Sequence, residues 1–136
     1  MILAAAGILD GLPATTHWMT QPGLAAMGAK PRRGERIVHA GKVVTAAGVS
    51  AGLDLGLWLA GQIAGREQAE TIQLYIEYDP RPPFDAGHPS KASKTVIGNA
   101  RTLGPKIAVN PSEARAVPAI AWRRTVDTFR KRKGLS

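Results

Sequence analysis

A chain of 136 residues with 44% hydrophobic and 21% charged positions is long enough to bury one core and has the balance of a globular protein. Zero cysteines exclude disulfides, thiolate metal centres and any cysteine nucleophile supplied by these residues. The formal charge of +8 is uneven: residues 1–100 carry 9 Lys+Arg against 8 Asp+Glu, whereas residues 101–136 carry 9 against 2, so a near-neutral body leads into a basic end.

Ile2 to Leu9 is alanine-rich and apolar on every side, with Gly11 placed to end it. It predicts a buried helix already under way at residue 1, because no capping residue precedes it, and hence a chain entered midway. The run is too short to cross a bilayer and lacks the basic start of a signal peptide, so a cytoplasmic protein without membrane contact is expected. Ala14 to Trp18, with two threonines and a tryptophan, suits a buried strand. Thr20, Gln21 and Pro22 open a short helix that Gly28 stops.

Arg36 to Ala46 reads as a hairpin, with Ile37 and Val38 on one arm, Val43 and Val44 on the other, and Gly41 in the turn. Gly48 to Gly65 is the strongest helical segment, with Ser50 as the expected N-cap. Its apolar residues occupy more than one face, which predicts a helix packed on two sides. A second helix is expected from Arg66 to about Tyr78, with Glu67 and Glu70 favouring its N-terminus. "YDPRPPFDAGHPS" breaks regular structure, residues 91–113 read as irregular, and Ala119 to Arg132 predicts a basic amphipathic helix.

The candidate site residues are few. His17 is the leading one, since an imidazole beside Thr16 and Trp18 can act as a base, an orienting group or a packed side chain. Thr16 offers a hydroxyl to a ligand. Ser50 and Asp54 sit together at the start of the long helix, where Asp54 among leucines needs a partner. Asp79, Asp85 and His88 lie on a proline-rich loop without metal-ligand spacing, so no metal is expected. "WRRTVDTFRKRKGLS" interleaves Trp122 and Phe129 with basic residues, which supports weak non-specific nucleic-acid binding rather than sequence reading.

Three strings occur in order: "AAAGILDGLPATTHW", "VVTAAGVSAGLDLGLWLAGQIAG" and "AETIQLYIEYDPRPPFDAG". Together they resemble the C-terminal half of the ThiJ/PfpI superfamily, the class I glutamine-amidotransferase-like proteins, and within it the isonitrile hydratase-like branch. The resemblance spans roughly residues 2–92 and leaves 93–136 as a basic extension. It implies an α/β fold, a flavodoxin-like three-layer sandwich of which this sequence holds the C-terminal half.

It further implies an intact-family reaction in which a cysteine thiolate adds water to an isonitrile carbon, giving an N-substituted formamide, with no cofactor. That cysteine would stand on a strand-to-helix elbow just before Met1, with His17 facing it, so the chain as written is expected to be inactive. The alternative implied is a non-catalytic ligand-sensing or interaction module, related to the amidase-like domain of AraC-type transcription regulators. The expected partners are a small-molecule ligand and a second copy that covers exposed apolar faces.

Overall fold

The computed structural model describes residues 1–108, with side chains through residue 104, and beyond them Pro118, Trp122, Thr125, Val126 and Phe129. Helix α1 spans only Ile2–Ala5. It stops at Gly7, not Gly11, because Gly7 takes the left-handed conformation at φ 81°. The Gly7 N–H then bonds the Ala4 carbonyl and the Ile8 N–H the Leu3 carbonyl, both at 3.0 Å. This pair of bonds is a Schellman cap, and it answers the open carbonyls that a longer helix would have paired. The helix is also not buried as expected: Ala4 is enclosed, but Ile2 is 86% exposed.

Strand β1, Pro13–Ala14, is shorter than the predicted strand, because His17 begins a 3-10 turn at Trp18–Thr20. Helix α2, Gln21–Ala26, carries Pro22 in its first turn. It ends on a second Schellman cap at Gly28, whose N–H reaches Ala25 while that of Ala29 reaches Leu24. It connects β1 to β2, Lys30–Pro31, which pairs parallel with β1 in the register Pro13 to Lys30 and Ala14 to Pro31. β2 has no apolar run and contains a proline, so no local pattern announces it.

The hairpin forms as expected. β3, Ile37–Ala40, pairs antiparallel with β4, Val43–Ala46, and Gly41 at φ 63° turns the chain between Ala40 and Val43. Leu9, Ala14, Leu24, Met27 and Ala29 form a small core with Ala4, and Val43 packs against it.

Helix α3, Val49–Ala64, and helix α4, Arg66–Tyr75, form a helical hairpin around Gly65, which caps both at φ 88°. Gly61 allows a close approach, since a Cβ there would lie 3.6 Å from that of Ala69. The N-cap of α3 is Gly48, not Ser50: the chain enters at φ 91°, which places Ser50 inside the first turn. The expectation of packing on both sides also fails. α3 rests on β4 and α4, but Val49 is 88% and Ile63 77% exposed, because no described element lies over that face.

Helix α5, Lys94–Ala108, occupies a stretch that reads as irregular. Gly98, Gly104 and Pro105 mask its helical period, while the Ser93 hydroxyl accepts from the Val96 N–H at 3.3 Å and caps it. The helix expected over 119–132 falls mostly outside the described residues, among which Trp122, Thr125, Val126 and Phe129 are helical. No helix among the described residues is long and apolar enough to cross a membrane.

Candidate functional site

His17 stands at the exit of β1, exposed, and caps the 3-10 turn: its Nδ1 accepts from the Met19 N–H at 3.4 Å. A ring nitrogen that accepts carries no proton, so the neutral imidazole holds its proton on Nε2. His17 thereby keeps its donor nitrogen on an exposed ring. Its ring lies 5.8 Å from that of Trp18, tilted by 36°.

The threonines divide the work. Thr15 is buried; its N–H donates to Thr45 Oγ1 at 2.9 Å and its hydroxyl to the Glu35 carbonyl at 2.8 Å. Thr16 Oγ1 lies 3.2 Å from Thr20 Oγ1, and Thr20 Oγ1 donates to the His17 carbonyl at 3.0 Å. Gln21, not foreseen as a site residue, braces both: its Nε2 donates to Thr15 Oγ1 at 3.1 Å and to the Thr16 carbonyl at 2.9 Å. The carbonyl can only accept, which fixes the amide with nitrogen on that side. Gln21 Oε1 is then buried without a partner among the described residues, in a residue 5% exposed.

Ser50 and Asp54 gather around Arg36, whose Nη2 reaches Ser50 Oγ at 3.0 Å and Asp54 Oδ2 at 2.7 Å. The Tyr78 hydroxyl donates to Asp54 Oδ1 at 2.7 Å. That bond above all, and Arg36 after it, hold the Asp54 carboxyl below its usual range despite partial desolvation. The Tyr78 hydroxyl is pushed up in turn, chiefly by the same bond. Arg36 and Tyr78 are the partners that Asp54 required, and neither is marked locally in the sequence.

The structure therefore joins Thr16 with His17 and Ser50 with Asp54, as two clusters. The Glu35–Arg36 peptide lies between them, with Thr15 bonded to the Glu35 carbonyl and the Arg36 side chain to Asp54. Helix α5 borders the first cluster. Arg101 lies over the Trp18 ring at 5.7 Å, and Gly104 is so close to Met19 that a Cβ there would fall 2.6 Å from its Cε. Asp79 pairs with Arg81, Asp85 with Lys91, and His88 with Ser90, each within its own loop. His39 meets Trp58 edge-on at 4.7 Å. A separate shallow cavity of about 280 Å³ opens between α3 and α4, lined by Trp58, Gly61, Arg66 and Gln73 among others.

With this geometry, no protein-family model matches the chain. The chain is 43% identical over 101 residues to the isonitrile hydratase of Pseudomonas putida, a match covering 74% of this chain and 44% of that enzyme. It is also similar to the crystal structure of a THiJ/PfpI family protein from Pseudomonas syringae, with a TM-score of 0.71 and 38% identity. The chain belongs to the ThiJ/PfpI superfamily. That structural match covers 88% of this chain and 47% of the other. The chain spans less than half the length of the ThiJ/PfpI relatives it matches.

Proposed function

We propose that the turn from Thr15 to Thr20 is the ligand-facing wall of an isonitrile hydratase-like site, and that this chain binds an isonitrile or N-substituted formamide without turning it over. The observation that carries this reading is the bond from the Met19 N–H to His17 Nδ1 on an exposed ring, which leaves Nε2 as the nitrogen that can donate. Such a donor complements a formamide oxygen or the electron-rich carbon of an isonitrile. Hydration further requires a nucleophile that attacks that carbon and is later displaced by water. The chain contains no cysteine, and Thr15 and Thr16 have their hydroxyls committed to neighbouring oxygens.

The test follows the His17 ring by NMR while N-methylformamide is added. Shifts of the His17 and Trp18 signals that saturate, and that vanish in His17→Phe, support the reading; unchanged signals at tens of millimolar ligand overturn it. Incubation with an alkyl isonitrile is expected to yield no formamide above the uncatalysed level.

A second reading, a ligand-sensing module, is favoured by the contact between this turn and α5. A ligand at His17 would press on Trp18 and Met19, the residues that meet Arg101 and Gly104. Displacement of α5 on ligand addition, seen as shifts at Arg101 in the same titration, would distinguish sensing from binding alone.

A further inference from the structure

Trp18 is the middle member of a row of three side chains. The His17 ring lies 5.8 Å from its ring, and Arg101 Cζ lies over it at 5.7 Å. The guanidinium comes from α5, and one turn further along that helix Met19 Cε abuts Gly104. His17 and Arg101 are exposed and Trp18 is half-buried, so solvent reaches both ends of the row.

A guanidinium held over an indole face spends its π surface there and keeps its edge N–H groups for other partners. Among the described residues those groups find none. The ion pairs engage Arg36, Arg66, Arg81 and Lys91, and Arg101 is recorded only against the Trp18 ring. Its planar fork of donors matches the two oxygens of a carboxylate.

The loop after β2 adds charge of the same sign beside the turn. The Arg32 N–H bonds the Ala14 carbonyl and the Thr15 hydroxyl the Glu35 carbonyl, each at 2.8 Å. Residues 32–35 therefore run alongside the approach to His17. Arg32 and Arg33 are exposed, without an ion-pair partner among the described residues. A neutral ligand leaves these cations idle. An anion at the Arg101 end gains charge-assisted hydrogen bonds and a field that draws it in.

We infer that Arg101 and Trp18 form a carboxylate subsite beside His17, so that the ligand class is a formamide or isonitrile bearing a carboxylate. The formamide end rests on the proposed role of His17; the carboxylate end rests on α5.

The probes are N-formylglycine and N-formyl-γ-aminobutyrate, each compared with its own primary amide. The Trp18 indole N–H and the His17 ring report binding by NMR. Two chain lengths are used because the span from His17 to the guanidinium sets which one bridges them. At least one acid is expected to bind roughly tenfold more tightly than its amide at low salt. The gap should close between about 20 and about 500 mM NaCl. Arg101→Gln is expected to erase the gap and leave the affinity for the amides unchanged. Arg101→Lys keeps the charge without the fork, and is expected to hold the acids more tightly than Arg101→Gln does.

Equal affinity for acid and amide overturns the inference. So does a gap that survives Arg101→Gln, or equal binding of the acids by the two variants. Acetate separates the two ends of the ligand. If no formamide moves His17, the proposed role of that residue fails and acetate decides the subsite alone. Saturable Trp18 shifts that are absent in Arg101→Gln then sustain it, and unmoved Trp18 signals overturn it.

Discussion

Tyr78 and Asp54, 24 residues apart in sequence, meet through a hydroxyl-to-carboxylate hydrogen bond of 2.7 Å. The contact ties the segment after α4 to the first turns of α3, where Arg36 closes the other side of the same carboxylate. Tyr78→Phe removes the donor but keeps the ring. The Asp54 pKa should then rise towards its ordinary value, because its largest stabilising contact has gone. Carboxyl-carbon NMR across an acid titration measures it; an unchanged Asp54 curve contradicts the assignment.

The same pair sets a pH dependence at both ends. Asp54 has a folded value below the ordinary 3.8, so its contribution to stability is fully present above about pH 4 and is lost as pH falls through the lower folded value. Tyr78 has a folded value above the ordinary 10.0, so its contribution is present below pH 10 and is lost as pH rises beyond it. Urea midpoints measured from pH 2 to 11 should fall at both extremes. Asp54→Asn should flatten the acid limb and weaken the alkaline one.

Glu77 takes the left-handed conformation at φ 52°, the one described non-glycine residue with positive φ. Its N–H bonds the Leu74 carbonyl and that of Tyr78 the Gln73 carbonyl, which turns the chain back so that Tyr78 faces Asp54. A side chain in that conformation costs about 1 kcal/mol relative to glycine. Glu77→Gly should therefore stabilise the chain by about that amount. Equilibrium unfolding provides the number, and a loss of stability would contradict the cap.

Thr15 is buried with both backbone and hydroxyl engaged. Thr15→Val keeps the shape but strands the Glu35 carbonyl and one Gln21 N–H. The cost expected is about 1–3 kcal/mol, the penalty for buried polar groups left unpaired. Denaturant unfolding tests this, and a smaller loss in Gln21→Leu than in Thr15→Val would show that Thr15 is the hub.

A Cβ at Gly104 would fall 2.6 Å from the Met19 Cε, so a bulky side chain there must push the end of Met19 aside. Gly104→Leu should lift α5 from the 3-10 turn and shift the Trp18 indole N–H resonance while leaving the α3–α4 hairpin signals in place. A Trp18 signal that does not move would remove α5 from the site.

Local signals carried much of this protein. The hairpin at Gly41, the α3–α4 break at Gly65 and the end of α2 at Gly28 were legible because a glycine with positive φ is a property of one residue, readable wherever it stands. The three strings around "ATTHW" likewise identify the superfamily without coordinates. Where local reading went astray, two local rules competed. α1 ends at Gly7 where Gly11 was expected, and Gly48 overrode Ser50 as the cap of α3, because the local backbone geometry decides which residue caps.

Tertiary structure alone decided the partners. Nothing near Asp54 in sequence announces Tyr78, nothing near Trp18 announces Arg101, and β2 is a strand only because α2 returns Lys30 beside Pro13. Sequence patterns encode period and backbone preference, which are short-ranged. The pairing of charges, rings and edges depends on which surfaces packing brings within a few ångströms, and that is settled only when the elements assemble.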